Sequence, residues 1–204
     1  MANLITWFDT NLPTEMADNA LRELLPSETG LALGTVGSGS VNKVIRDSSV
    51  HFFGSSNWVA GLIWYYLQKT NKNNFGYDIT DFDNGRLQYT VYGSDQHYEW
   101  HKDQDLESFY QPKLVDSSAL RNTDKVELDS ENVRKLSFSL LISDPSEFEG
   151  GELQFKDNSG STHIMTREKG KLVIFDSRTL HRVSPVEKGV RRSIVGWAVG
   201  PRWK

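Results

Sequence analysis

The tripeptide His101-Lys102-Asp103 sets an imidazole and a carboxylate two residues apart. In an extended strand residues i and i+2 project to one face, so these side chains can converge while Lys102 turns away. This supplies part of a metal site. Of the remaining histidines, His51, His97, His163 and His181, the best placed to complete it is His181. It follows the apolar run KLVIF and precedes a Ser-Pro turn, the kind of strand end that opens on the rim of a sandwich. Two histidines and one carboxylate make a facial triad that holds Fe(II) and leaves positions open for a bidentate co-substrate and dioxygen. Arg191, ten residues after His181 in GVRRSIVGW, suits a bidentate clamp on a carboxylate inside a strand-lined pocket. Strand alternation turns Arg192 to the opposite face and toward water. His97 shares the parity of His101, but four residues of strand is about 13 Å, too far for joint coordination, so it is expected near the substrate or behind the ligands. His51 and His163 lack a convergent partner in sequence and read as surface or packed histidines.

Positioning such groups requires a rigid frame. Residues 14–25 (TEMADNALRELL) place Met16, Ala20, Leu21, Leu24 and Leu25 near one helical face, with Thr14 as the expected N-cap and Pro26 as the stop. A second helix is expected from about Ser56 to Lys72, with Trp58, Leu62, Tyr65, Tyr66 and Lys69 at three- and four-residue spacing against a sheet. Between them Gly34, Gly37 and Gly39 suit turns; the full Walker spacing is absent, which argues against a phosphate loop. From residue 86 the chain breaks into short runs, LQYTVY, RKLSFSLLI, ELQF, THIMT, KLVIF and RRSIVGWAVG, bounded by Gly, Asp, Asn, Ser or Pro. This is the texture of an antiparallel sandwich or barrel. The polar stretch from Lys102 to Asn132 is too long for a hairpin turn and reads as a lid or binding loop. Gly150-Gly151 reads mainly as a tight turn or close approach of strands.

Composition narrows the class. The chain has 204 residues, the length of one ordinary domain, and no cysteine, which removes thiolate catalysis, disulfides and cysteine-ligated metals. Any metal chemistry must use His, Asp and Glu. A formal charge of −4 gives no whole-protein attraction to nucleic acid or anionic membranes, though a local basic patch remains open. Six Trp and seven Tyr come without a Lys/Arg tract, and helix packing accounts for Trp58, Tyr65 and Tyr66, so base stacking is disfavoured. With no basic leader and no run of about 20 apolar residues, the chain reads as soluble and cytoplasmic.

Taken in order, Tyr92-Gly93-Ser94-Asp95-Gln96-His97-Tyr98-Glu99-Trp100-His101-Lys102-Asp103, then Phe148-Glu149-Gly150-Gly151-Glu152-Leu153, then His181-Arg182-Val183-Ser184-Pro185-Val186 with Gly189-Val190-Arg191 and Trp197 resemble the iron- and 2-oxoglutarate-dependent dioxygenases of the prolyl 4-hydroxylase type. The resemblance covers roughly residues 85–200. It implies a double-stranded β-helix, or jelly roll, with N-terminal helices packed on one sheet: helical support over about 1–80 and a catalytic jelly roll over about 85–200 in one domain. It also implies that His101, Asp103 and His181 bind Fe(II), and that Arg191 pairs with the distal carboxylate of 2-oxoglutarate, to which Tyr92 donates its hydroxyl. Tyr98 would line the co-substrate or substrate side, Trp197 would wall the pocket, and ascorbate is a candidate reductant for oxidised iron. Arg191 stands where collagen-type enzymes usually place lysine, while wider bacterial and viral relatives use arginine; either cation pairs with a carboxylate. Asp103 keeps the acid that hydroxylation needs.

The implied reaction releases succinate and CO2 and hydroxylates a substrate, with a peptidyl proline as the leading expectation. Another side chain, a free amino acid and a nucleobase remain alternatives. So do a cupin-like enzyme, which has no use for the Arg191 and Tyr92 clamp, and a non-enzymatic jelly-roll binding module, which would not need iron. A compact domain without accessory modules suits a bacterial or viral enzyme.

Overall fold

The computed structural model describes residues 7–36, 40–104 and 132–203. The expected covering loop over 104–132, apart from its two ends, and the turn at Gly37 and Gly39 lie outside these residues. In chain order come β1 (Trp7–Asn11), α1 (Thr14–Leu24), β2 (Ala32–Leu33), β3 (Arg46–Asp47), β4 (Ser49–Gly54), α2 (Trp58–Thr70) and β5 (Asp81–Phe82). There follow β6 (Arg86–Tyr92), β7 (His97–His101), β8 (Val133–Leu141), β9 (Phe148–Gly150), β10 (Leu153–Lys156) and β11 (Thr162–Ile164). The chain closes with β12 (Lys171–Asp176), β13 (Leu180–Val183), β14 (Val186–Gly189) and β15 (Arg191–Gly200). A larger sheet runs β1-β12-β8-β15-β6-β4-β2, with β5 beside β15; a smaller one runs β11-β10-β13-β7-β3; β14 pairs with β9. The chain is thus mainly β with helices near its N-terminus.

Alternation along the larger sheet separates two interiors. Leu87, Tyr89 and Val91 of β6, Leu136, Phe138 and Leu140 of β8 and Leu172 and Ile174 of β12 pack with Ala17, Ala20, Ile63 and Leu67 of the helices. The intervening residues turn the other way: Tyr92, Leu141, Val173 and Phe175 meet Leu153, Phe155 and Val183 of the smaller sheet. Buried polar residues share that second face, with Gln88 donating to Thr90 at 2.6 Å.

The helices depart from the expected faces. In α1 Pro13 takes the N-cap position without a side-chain cap and Thr14 is the first helical residue. The α-helix ends at Leu24, ahead of Pro26 as expected, and Leu25–Gly30 carries on as a 3-10 turn that admits proline in its first turn. Met16 is 37% and Leu25 42% exposed, while Ala17 joins Ala20 and Leu24 in the core. In α2 the buried residues are Val59, Ala60, Ile63, Leu67 and Thr70. Trp58 and Tyr65 lie on the outer side at 44% and 58% exposure, so packing does not account for them. The expected stripe is right only in part: Leu62 and Tyr66 pack half-buried against the core, while Val59, Ala60 and Ile63, being smaller than Trp58 and Tyr65, take the closest approach to the sheet. Asn57 caps α2 by accepting from the Val59 amide at 2.9 Å.

Candidate active site

The two imidazoles converge through strand pairing. His181 on β13 stands directly opposite His101 on β7, with ring centroids 4.2 Å apart. The strand expected to carry the whole His-x-Asp motif ends at His101. Asp103 lies beyond it, and its backbone amide donates to Ser177 O at 3.0 Å, which pins the turn and brings the carboxylate back toward the rings. Asp103 Oδ1 is then 3.6 Å from His101 Nε2, and Oδ2 is 3.5 Å from His181 Nε2. Tertiary anchoring, not strand parity alone, completes the group. One donor atom from each of the three residues falls within 4.8 Å of the others.

Protonation suits ligation. The Nδ1 of His101 lies 2.7 Å from Glu99 O and that of His181 2.9 Å from Thr179 O, so each ring can donate there and present an unprotonated Nε2. Burial pushes His181 down to about 4 against the opposing pull of Asp103, keeping the imidazole neutral near pH 7. Burial would raise Asp103, but its interactions with the His181 and His101 imidazoles and the charge of Arg134 outweigh it and hold the carboxyl well below the usual range. The donor set is therefore two nitrogens and one anionic oxygen, which fits Fe(II) with positions left open.

His101, Asp103 and His181 line a cavity of about 50 Å³, open to solvent, whose wall includes Tyr92, Tyr98, Arg191 and Trp197. Arg191 and Tyr92 are cross-strand partners on β15 and β6, and the guanidinium lies 5.5 Å from the Tyr92 ring centroid. Both are nearly fully buried, at 4% and 3% exposure. Arg191 donates to Ser193 Oγ at 2.9 Å and has no ion-pair partner among the described residues. Burial pulls its guanidinium below the ordinary value, opposed in part by the Glu152 charge, and pushes the Tyr92 phenol up, which leaves a proton donor beside a buried cation with no direct ion pair among the described residues. Such a pair can receive a carboxylate. Gly151 makes room for it: at φ +63° its Cβ would stand 3.0 Å from Arg191 Cδ and 2.9 Å from Val186 Cγ2.

Tyr98 stacks on His101 with centroids 3.5 Å apart, and burial pushes its phenol up to about 12. Trp197 is covered by Arg134 at 3.8 Å. Phe155 and Phe175 back the His181 ring at 6.1 and 4.7 Å. Several lining residues escaped the sequence reading, the charged one among them being Arg46. Arg46, 7% exposed, pairs in register with Tyr98, lies 4.8 Å from that ring's centroid and donates to Ser48 Oγ and Thr35 O. Its only signal in sequence was a cation within a short run, and β3 is two residues long.

Two other expectations are corrected, those for Arg192 and His163, while His97, His51 and the Gly150-Gly151 turn stand as expected. Arg192 does not simply face water: its Nε donates to Glu28 Oε1 at 2.7 Å, tying β15 to the turn after α1. His163 has a partner, since its Nε2 lies 2.9 Å from Asp157 Oδ2. His97 contacts the Asp95 and Val44 carbonyls and stays outside the donor group, while His51 sits half-buried in β4 opposite Tyr89. Gly150 and Gly151 both have positive φ in a turn closed by the Gly151 amide on Pro185 O.

A PKHD-type hydroxylase of Parvibaculum lavamentivorans is 47% identical over 62 residues, which are 30% of this chain and 28% of that protein. The chain thus matches less than a third of that curated relative's length. Among solved structures, a Pseudomonas putida prolyl-4-hydroxylase superposes with a TM-score of 0.72 at 19% identity, covering 97% of this chain and 94% of the other. A Trichoplax adhaerens prolyl hydroxylase, solved with a hypoxia inducible factor peptide fragment, also gives 0.72 at 16% identity, covering 95% and 83%. These structures share the fold. Residues 87–199, which carry the triad and the Arg191 and Tyr92 pair, match the 2OG-Fe(II) oxygenase superfamily throughout, and the chain belongs to that superfamily.

Proposed function

We propose that this chain is an Fe(II)- and 2-oxoglutarate-dependent dioxygenase that hydroxylates a peptidyl proline. Under this reading residues 1–204 form one domain whose two facing sheets are a double-stranded β-helix. The observation that carries it is the meeting of two environments in one cavity: a two-histidine, one-carboxylate donor group and a buried, unpaired arginine beside a protonated tyrosine. A cupin-like metal site or a simple binding module would not require the second.

His101, Asp103 and His181 would hold the iron, where dioxygen would supply the oxidising equivalents: one oxygen atom would go to 2-oxoglutarate as it is oxidised to succinate and CO2, and the other into a C–H bond of the substrate. Arg191 and Tyr92 bind the far carboxylate of the co-substrate and fix its orientation by charge and by the phenol proton. Phe155, Phe175, Leu153 and Val183 exclude water from the inner end. Tyr98 holds the His101 ring in place by stacking, and Trp197 walls the side toward the substrate. The proline substrate is also supported by the overlap with prolyl hydroxylase folds.

The test is succinate formation by anaerobically iron-loaded protein exposed to oxygen, with and without proline-containing peptides and with H181A as blank. Peptide-stimulated succinate that disappears in H181A is the expected result. Binding of Fe(II) and 2-oxoglutarate without peptide stimulation would replace proline as substrate, and failure to bind either would overturn the enzyme assignment.

A further inference from the structure

Beside the triad cavity lies a wider groove of about 210 Å³, open to solvent, which shares Arg46, Gln88, Tyr98, Asp103 and Trp197 with it and extends over Phe52 and Arg86. Three guanidiniums line it, each laid over a ring: Arg46 over Tyr98 at 4.8 Å, Arg134 over Trp197 at 3.8 Å and Arg86 over Phe52 at 4.9 Å. Their charges are not equally compensated. Arg134 donates twice to Asp83 Oδ2, at 2.8 and 2.6 Å. Arg46 is held by the neutral acceptors Ser48 Oγ and Thr35 O. Arg86 is exposed, and among the described residues neither it nor Arg46 has an ion-pair partner. A protein of net charge −4 therefore carries two uncompensated cations on the approach to its triad.

We propose that this groove selects an acidic peptide, with an Asp or Glu side chain near the hydroxylated residue pairing with Arg86. The proposal rests on the peptide-hydroxylase reading above and adds the charge of the substrate to it. Phe52 stands opposite Gln88 on neighbouring strands, two positions from Arg86 and on the same face, so its ring supports the guanidinium and leaves the N–H edge for a carboxylate. Arg46, which lines both spaces, extends the positive field toward the reacting end. A nucleic-acid strand fits less well. Base stacking needs open ring faces, whereas Tyr98 contacts both His101 and Arg46, and Trp197 and Phe52 each carry a guanidinium.

The test compares labelled peptides with one proline flanked by Glu, Ser or Lys. Binding is read by fluorescence anisotropy on protein loaded with Mn(II) and 2-oxoglutarate, and turnover as kcat/KM on the iron enzyme. The wild type should prefer the Glu over the Lys peptide by about tenfold at low salt, R86Q should reduce the ratio, and R86E should invert it, as expected for a charge at an interface rim. Equal affinity for the three peptides, or an unchanged ratio in R86E, overturns the proposal even if proline is hydroxylated. Binding of a Glu peptide with its proline replaced by alanine, lost in R86E, supports charge selection even if no peptide is turned over, in which case only the proline assignment falls. A single-stranded oligonucleotide bound more tightly than the Glu peptide and released by R86E overturns the peptide as partner.

Discussion

The division of labour at the site lies between His181, whose ring belongs to the donor group, and Arg191, which shares the cavity without belonging to it. H181A should therefore abolish Fe(II) binding measured by calorimetry. R191A should retain iron yet raise KM for 2-oxoglutarate about 100-fold, because a lost charge-assisted contact in a dry pocket costs a few kcal/mol. Equal loss of iron in both variants would refute this assignment. His181 also carries a pH signature. Its folded value of about 4 lies below the ordinary 6.5, so the unfolded chain takes up a proton that the folded, metal-free protein refuses. Stability is thus complete above pH 6.5 and falls as pH drops from 6.5 toward 4, by up to about 3 kcal/mol. Asp103, held below the carboxylate range, adds its own loss only at still lower pH. Urea unfolding across this window should show the slope in wild type and its removal in H181Q.

Elements hold these residues through contacts that no motif announces. Arg192 alternates with Arg191 on β15 and reaches Glu28, whose carboxylate also accepts from the buried Tyr89 at 2.6 Å. Burial would raise Glu28, but the bonds from Arg192 and Tyr89 and the Arg192 charge outweigh it and lower it. One carboxylate thereby fastens the turn after α1 to two strands. E28A should cost about 1 kcal/mol by denaturant midpoint, discounted for partial exposure. The helix seam is heavier: Leu67 on α2 is fully buried among sheet residues, and L67A should cost about 3 kcal/mol. Loss of stability in Y65A comparable to L67A would show that the stripe has been assigned wrongly.

At the scale of the whole molecule the site joins two sheets, so its ligands should tie the fold together. Mn(II) with 2-oxoglutarate should raise the unfolding temperature of wild type, chelation should reverse the gain, and H181A should show none, as linkage requires of ligands that bind only the folded state. A melting scan with and without chelator checks this.

Much of this was legible before folding. The residue types and spacing of His101, Asp103, His181 and Arg191 named the chemistry, and period-two runs from residue 86 named the sheets, because side-chain alternation is a local property of the backbone. Tertiary structure decided what depends on distant partners. It set His181 opposite His101 across β13 and β7 and turned Asp103 inward through Ser177. It also brought Arg46 from a two-residue strand over Tyr98 and buried Val59, Ala60 and Ile63 of α2 rather than Trp58 and Tyr65. Those outcomes follow from strand register and close packing between segments far apart in the chain, which no local spacing encodes.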